Sequence, residues 1–121
     1  MNQTIKEKAN QFSVKAAQLY KHLSTNKRET VLSEQYLRAA TSVGASLSRA
    51  DFAVNKNDYL MKFYTALQGC GESRYWLEVM YEAEIITEFE YNSNLESCEE
   101  MQNILSAAIK SIRDQQNKTV P

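Results

Sequence analysis

A chain of 121 residues suffices for one domain that buries about two-thirds of its unfolded surface, and its 14 Lys and Arg against 15 Asp and Glu leave a net charge of only −1. One proline (Pro121), three glycines and two cysteines exclude a turn-rich β domain and a disulfide scaffold. The opening MNQTIKEKANQF carries no hydrophobic segment after its charges, and no apolar run approaches the length of a membrane span, so a soluble, cytosolic protein is expected.

The first helix is predicted over about 4–24, where Ile5, Ala9, Phe12, Ala16, Leu19 and Leu23 recur every three or four residues. Residues 1–28 hold six Lys and Arg against one Glu, a local charge of +5. Lys8, Lys15, Lys21, Lys27 and Arg28 are therefore the candidate phosphate contacts if nucleic acid is bound, although a charged face on a helix is more often simply solvated.

After the polar stretch 25–30, a second helix is expected over about 33–54, with Ser33 as its N-cap and Leu32, Tyr36, Ala39, Val43, Leu47, Ala50 and Val54 on its buried stripe. Ala40, Gly44 and Ser48 form a small stripe beside it, and a glycine inside a helix, about 1 kcal/mol worse than alanine, calls for close packing. Asn55-Lys56-Asn57-Asp58 breaks the pattern, with Asn55 or Asn57 able to cap the next helix.

The third helix, about 58–83, presents Tyr59, Phe63, Ala66, Cys70, Ser73, Leu77 and Met80 inward, and Gly69 and Gly71 within it again suggest a close helix contact. Thr87 with Glu90 three residues on is a capping box. It starts a fourth helix over about 88–113, with Leu95, Cys98, Met101, Leu105, Ala108, Ile109 and Ile112 inward. Residues 72–100 carry nine Glu and one Arg, a local charge of −8. Four amphipathic helices with short connections imply an all-α fold, an antiparallel up-down-up-down four-helix bundle in one domain.

Arg38-Ala39, Thr41-Ser42-Val43-Gly44-Ala45 and Glu72-Ser73-Arg74-Tyr75-Trp76-Leu77 resemble the four-helix-bundle 23S rRNA intervening-sequence proteins, whose relatives include the accessory variability protein of diversity-generating retroelements. The likeness spans roughly Leu32 to Met80. It departs at Ser46 and Arg49, where the family carries Asn and Glu, and at Gly69-Cys70-Gly71. The resemblance implies a ribonucleoprotein or nucleic-acid accessory role and a homo-oligomer, a cyclic pentamer before a dimer. Arg38, Glu72 and Arg74 are then either a polar binding patch or an ion-pair network fixing the second and third helices or joining subunits. Gly44, Arg49, Tyr75 and Trp76 complete the candidate interface.

No catalytic constellation accompanies these residues. Di-iron bundles need Glu-x-x-His pairs, and the only histidine, His22, has Leu19 three positions before it. The glycines lie within helical patterns rather than after strands, so they form no phosphate loop. Cys70 and Cys98 read as reduced core thiols. The expectation is a non-catalytic protein without metal or cofactor that binds nucleic acid through its first helix, with a protein-only oligomeric adaptor as the alternative.

Overall fold

The computed structural model describes residues 3–118. Its helices are α1 (Gln3–Asn26), α2 (Val31–Ala50), α3 (Lys56–Glu82) and α4 (Glu88–Lys118). Consecutive helices pack together and α4 returns to α1, whereas α1 and α3, like α2 and α4, are not in backbone proximity. The contacts run in opposite directions along each seam. Gly44 lies over Ala9 and Ser13 while Asp51 pairs with Lys6. Gly69 meets Ser42 while Lys62 meets Ser46, and Tyr81 stacks on Tyr91 while Tyr64 meets Arg113. Each neighbour is therefore antiparallel, the expected bundle.

The stripes read from the sequence fill its centre: Phe12, Leu23, Tyr36, Val43, Leu47, Phe63, Leu77, Met80, Met101 and Leu105 are fully enclosed. Both ends of α2 differ from expectation. Ser33 is not its cap but a buried residue of its first turn, whose Oγ donates to the Glu29 carbonyl at 2.9 Å. The Glu29 carboxylate instead accepts from the Leu32 and Ser33 amides, placing negative charge at the helix start as the dipole favours. At the other end α2 stops at Ala50, not Val54. Phe52 and Val54 are both 85% exposed, because the Asp58 carboxylate takes the Val54 amide (3.1 Å) and turns the chain into α3. Asn55 caps α3, its side chain accepting from the Asp58 amide at 2.8 Å.

The α3–α4 connection agrees closely with the sequence. Thr87 Oγ1 accepts from the Glu90 amide (3.1 Å) while the Glu90 carboxylate accepts from the Thr87 amide (2.8 Å), the reciprocal capping box. α4 continues to Lys118, beyond the expected 113. Its last turns run beside the start of α3, where Gln116 Nε2 donates to the Lys56 carbonyl at 3.4 Å. They wall an open cleft of about 720 Å³ whose other side includes Ala53, Lys56 and Tyr59.

α3 ends in a left-handed turn. The Ile85 amide donates to the Met80 carbonyl (2.8 Å) and the Glu84 amide to Tyr81 (3.0 Å), with Glu84 at φ 62°. This is the arrangement in which glycine is preferred, since a Cβ costs about 1 kcal/mol or more in that conformation. A carboxylate at a helix C-terminus also opposes the dipole. Glu84→Gly is thus expected to stabilise the fold by about 0.5–1 kcal/mol, after the greater freedom of glycine in the unfolded chain is set against it. A urea midpoint that falls on this substitution would contradict the assignment.

Candidate interaction surfaces

Two of the lysines of α1, Lys8 and Lys15, with His22, lie along its flank toward α4. Lys8 pairs with Glu100 at 2.9 Å, and Lys15 Nζ donates to the Ser93 carbonyl at 2.8 Å and approaches Ser97 Oγ at 3.3 Å. His22 faces Glu90 at 3.5 Å, and Lys27 Nζ donates to the Ile85 carbonyl at 2.8 Å. Positions 8, 15 and 22 advance by seven residues, two helical turns, so they return to one flank. The hydrogen bond from Glu100 and its charge raise Lys8 above the ordinary lysine value. Of the five candidate phosphate contacts, only Lys21 and Arg28 are exposed cations outside this seam. Arg28 has φ 54° and lies just past the end of α1. Of the lysines of the N-terminal segment, Lys8 thus meets a carboxylate of α4, Lys15 a carbonyl of α4, and Lys27 a carbonyl of the α3–α4 turn, inside one molecule.

The other candidates fall on three separate surfaces. Arg38 is exposed and reaches Glu34 one turn earlier, at 2.9 Å. Arg74 reaches Glu78 at 3.3 Å and Glu99 at 3.6 Å, tying α3 to α4. Glu72 is exposed on α3 and Arg49 on the last turn of α2. Among the described residues no ion pair joins α2 to α3. Their register is held instead by Ser46, fully buried, whose Oγ donates to the Lys62 carbonyl at 2.8 Å, and by the fit of Gly69 against Ser42, Val43 and Ala39.

The glycines divide by environment. A Cβ on Gly69 would lie 2.6 Å from Ser42 Oγ, 3.1 Å from Val43 Cγ2 and 3.3 Å from the Ala39 carbonyl, so the close contact expected there is present. At Gly44 it would find Ser13 Oγ at 3.4 Å and Ala9 Cβ at 3.8 Å, an ordinary fit against α1. At Gly71 it would find nothing within 4 Å, and the close-contact reading does not hold for that residue within the chain.

Tyr75 is 55% exposed, and its ring stands edge-on to the half-buried Trp76, centroids 5.0 Å apart at 69°. The Trp76 Nε1 is enclosed and has no hydrogen-bond acceptor, a condition that costs about 1–3 kcal/mol for a buried donor. Met61 and Val14 add exposed apolar groups on α3 and α1.

A buried polar pair was not foreseen from the sequence. Tyr36 Oη donates to Asn94 Oδ1 at 2.8 Å, and Asn94 Nδ2 donates to the Glu90 carbonyl at 2.9 Å. Burial pushes the Tyr36 phenol well above its ordinary value. Cys98 Sγ lies 3.2 Å from the Cys70 carbonyl, both residues at zero exposure. The hydrogen bond with Cys98 and burial both raise the Cys70 thiol, which keeps it protonated. Among the described residues no group of three His, Cys, Asp or Glu is placed to hold a metal ion, and no helix is long and apolar enough to cross a membrane.

The fold is an antiparallel helical bundle whose distinctive side chains lie on its outer faces. The chain belongs to the family of 23S rRNA-intervening sequence proteins, whose profile matches residues 1–107. It is similar to a crystal structure of a protein of unknown function from the S23 ribosomal protein family of Bacteroides thetaiotaomicron. The two share 36% identity and a TM-score of 0.85 over 88% of this chain and 98% of that one. Comparison with curated proteins finds no match.

Proposed function

We propose that this protein is a non-catalytic, self-assembling helical adaptor, acting through protein surfaces rather than reacting groups. The observation that carries this reading is the division between its two kinds of candidate residue. Lys8, Lys15 and Lys27 are engaged within the chain, whereas Tyr75 stays 55% exposed on α3 against Trp76, whose enclosed Nε1 has no acceptor, and aromatic side chains are frequent anchors of protein contacts. The assembly favoured is a cyclic pentamer, then a dimer, in line with the resemblance.

A second reading, an accessory factor for nucleic acid, is supported by the family name and by Lys21 and Arg28, which stand exposed. Two neighbouring cations give a small electrostatic footprint, since each phosphate contact changes the log-log salt slope by only about 0.9 on duplex DNA.

Light scattering coupled to size exclusion, at a protomer concentration of about 50 μM, is expected to give a mass above that of one chain. Titration with structured RNA at two salt concentrations is expected to give a Kd weaker than about 100 μM even at low salt. A monomer mass removes the adaptor reading. Tight RNA binding lost on Lys21→Glu would replace it with the second.

A further inference from the structure

Two of the three glycines are not required by the fold that contains them. Gly71 lies exposed in the middle of α3 with open space where a Cβ would be, although alanine is the better helix former. Gly44 has room for an alanine against α1. Close approach of a backbone from outside the chain is one condition that keeps glycine in a helix.

Each of these glycines has a surface feature beside it. Gly44 floors an open cleft of about 220 Å³ between α1 and α2, with Lys6, Asn10, Ser13, Ala45 and Ser48 in its lining. One turn beyond Gly71, Tyr75 projects from α3, braced by Trp76. We propose that these are the two halves of one contact between copies of this chain: Tyr75 enters the Gly44 cleft of a second copy, and Gly71 lets α3 lie close against that copy's α1–α2 face. The proposal rests on the self-association inferred above and names its surface.

Size and polarity agree. A benzene-sized ring occupies a cavity of about 150 Å³, so the cleft admits a phenol, and Asn10, Ser13 and Ser48 supply polar atoms for its hydroxyl. The indole next to Tyr75 has an N–H that is enclosed and without an acceptor in the single chain. Because cleft and knob lie on different faces, the contact is heterologous and each copy uses both halves, a geometry that closes into a ring when its rotation permits.

Gly71→Gln and Tyr75→Lys test it, since both positions are exposed and neither change disturbs the core. The expected result is far-UV circular dichroism as helical as the parent's for both variants, with the scattering mass falling to one chain for both. Carrying Ser48→Cys and Tyr75→Cys together, the protein is expected to give a ladder of covalent multiples under mild oxidation, and neither change alone should do so. If the parent assembles but both blocking variants assemble equally well, this contact is wrong and the adaptor reading stands. Efficient cross-linking of Tyr75→Cys to itself also overturns it, since like faces would then meet. A parent that is monomeric throughout overturns the contact together with the reading beneath it.

Discussion

Gly69→Leu is expected to lower stability by about 3 kcal/mol, among the largest effects of any single change in this bundle. The seam between α2 and α3 closes over this glycine, and even a methyl group there would sit 2.6 Å from Ser42 Oγ and 3.1 Å from Val43 Cγ2. A leucine must displace backbone as well, because the Ala39 carbonyl stands at 3.3 Å. Overpacking of this kind costs about 1–3 kcal/mol and sometimes more, equivalent to a drop of about 10 °C in Tm for a domain of this size. Gly69→Ala should show the same sign at smaller size, because the gain in helix propensity of about 1 kcal/mol partly offsets the clash. Ser42→Ala, which removes the nearest atom, should recover part of that loss in the double variant. Chemical denaturation of the four proteins measures the coupling; strictly additive effects would mean that Ser42 is not what Gly69 accommodates.

Tyr36→Phe is expected to cost about 1–3 kcal/mol at neutral pH, because Asn94 Oδ1 would be left buried without its donor. The cost should fade in alkali. Folding holds the Tyr36 proton well above the ordinary tyrosine value of 10.0, with burial as the main cause. The unfolded chain releases it near pH 10, so the stability it contributes is complete below that pH. It declines by up to about 1.4 kcal/mol per pH unit above it, until the folded pKa is passed. Phenylalanine has no proton to lose. Urea unfolding between pH 7 and pH 11 should therefore show the parent and variant curves converging at the top of the range. Parallel curves would mean that the phenol ionises as readily folded as unfolded.

The helices were legible because apolar or small residues recur every three or four positions along each, clearly in α1, α2 and α4 and less so in α3, whose apolar residues also spread around it, and the α3–α4 turn because Thr87 and Glu90 carry their boundary chemistry within four consecutive residues. The end of α2 was not. Val54 continues the three-four spacing, yet the turn there is made by Asp58 reaching back to the Val54 amide, a choice that periodicity does not encode. The start of α2 misled for a related reason, since Ser33 has the composition of a cap while Glu29 does the capping. Among the site residues, the placement of Tyr75 and Trp76 at the bundle edge could be read from their position beside the inward Leu77. The engagement of Lys8 and Lys15 could not, since Glu100 is 92 residues from Lys8 and Ser93 and Ser97 are 78 and 82 from Lys15, and the register of α1 on α4 is set by the whole bundle. The same kind of distance hid the Tyr36–Asn94 pair.

The polar character of the α1–α4 seam bears on how the chain is made. During synthesis α1 emerges first, but the partners of Lys15, Ser93 and Ser97, lie 78 and 82 residues behind it. Until α4 leaves the ribosome, the flank of α1 that will face it stands bare, at synthesis rates of about 5–20 residues per second. That flank shows Lys8, Lys15 and His22, with Lys27 beyond them. A waiting nascent chain consequently offers water a row of ionisable groups on that flank, beside the apolar stripe of Ile5, Phe12 and Leu19. α2 and α3, joined by a short turn, can meanwhile collapse on the apolar side of α1. The last helix then closes the bundle by adding hydrogen bonds along its border with α1 while it brings Met101, Leu105 and Ile109 onto the apolar face left open by the first three helices.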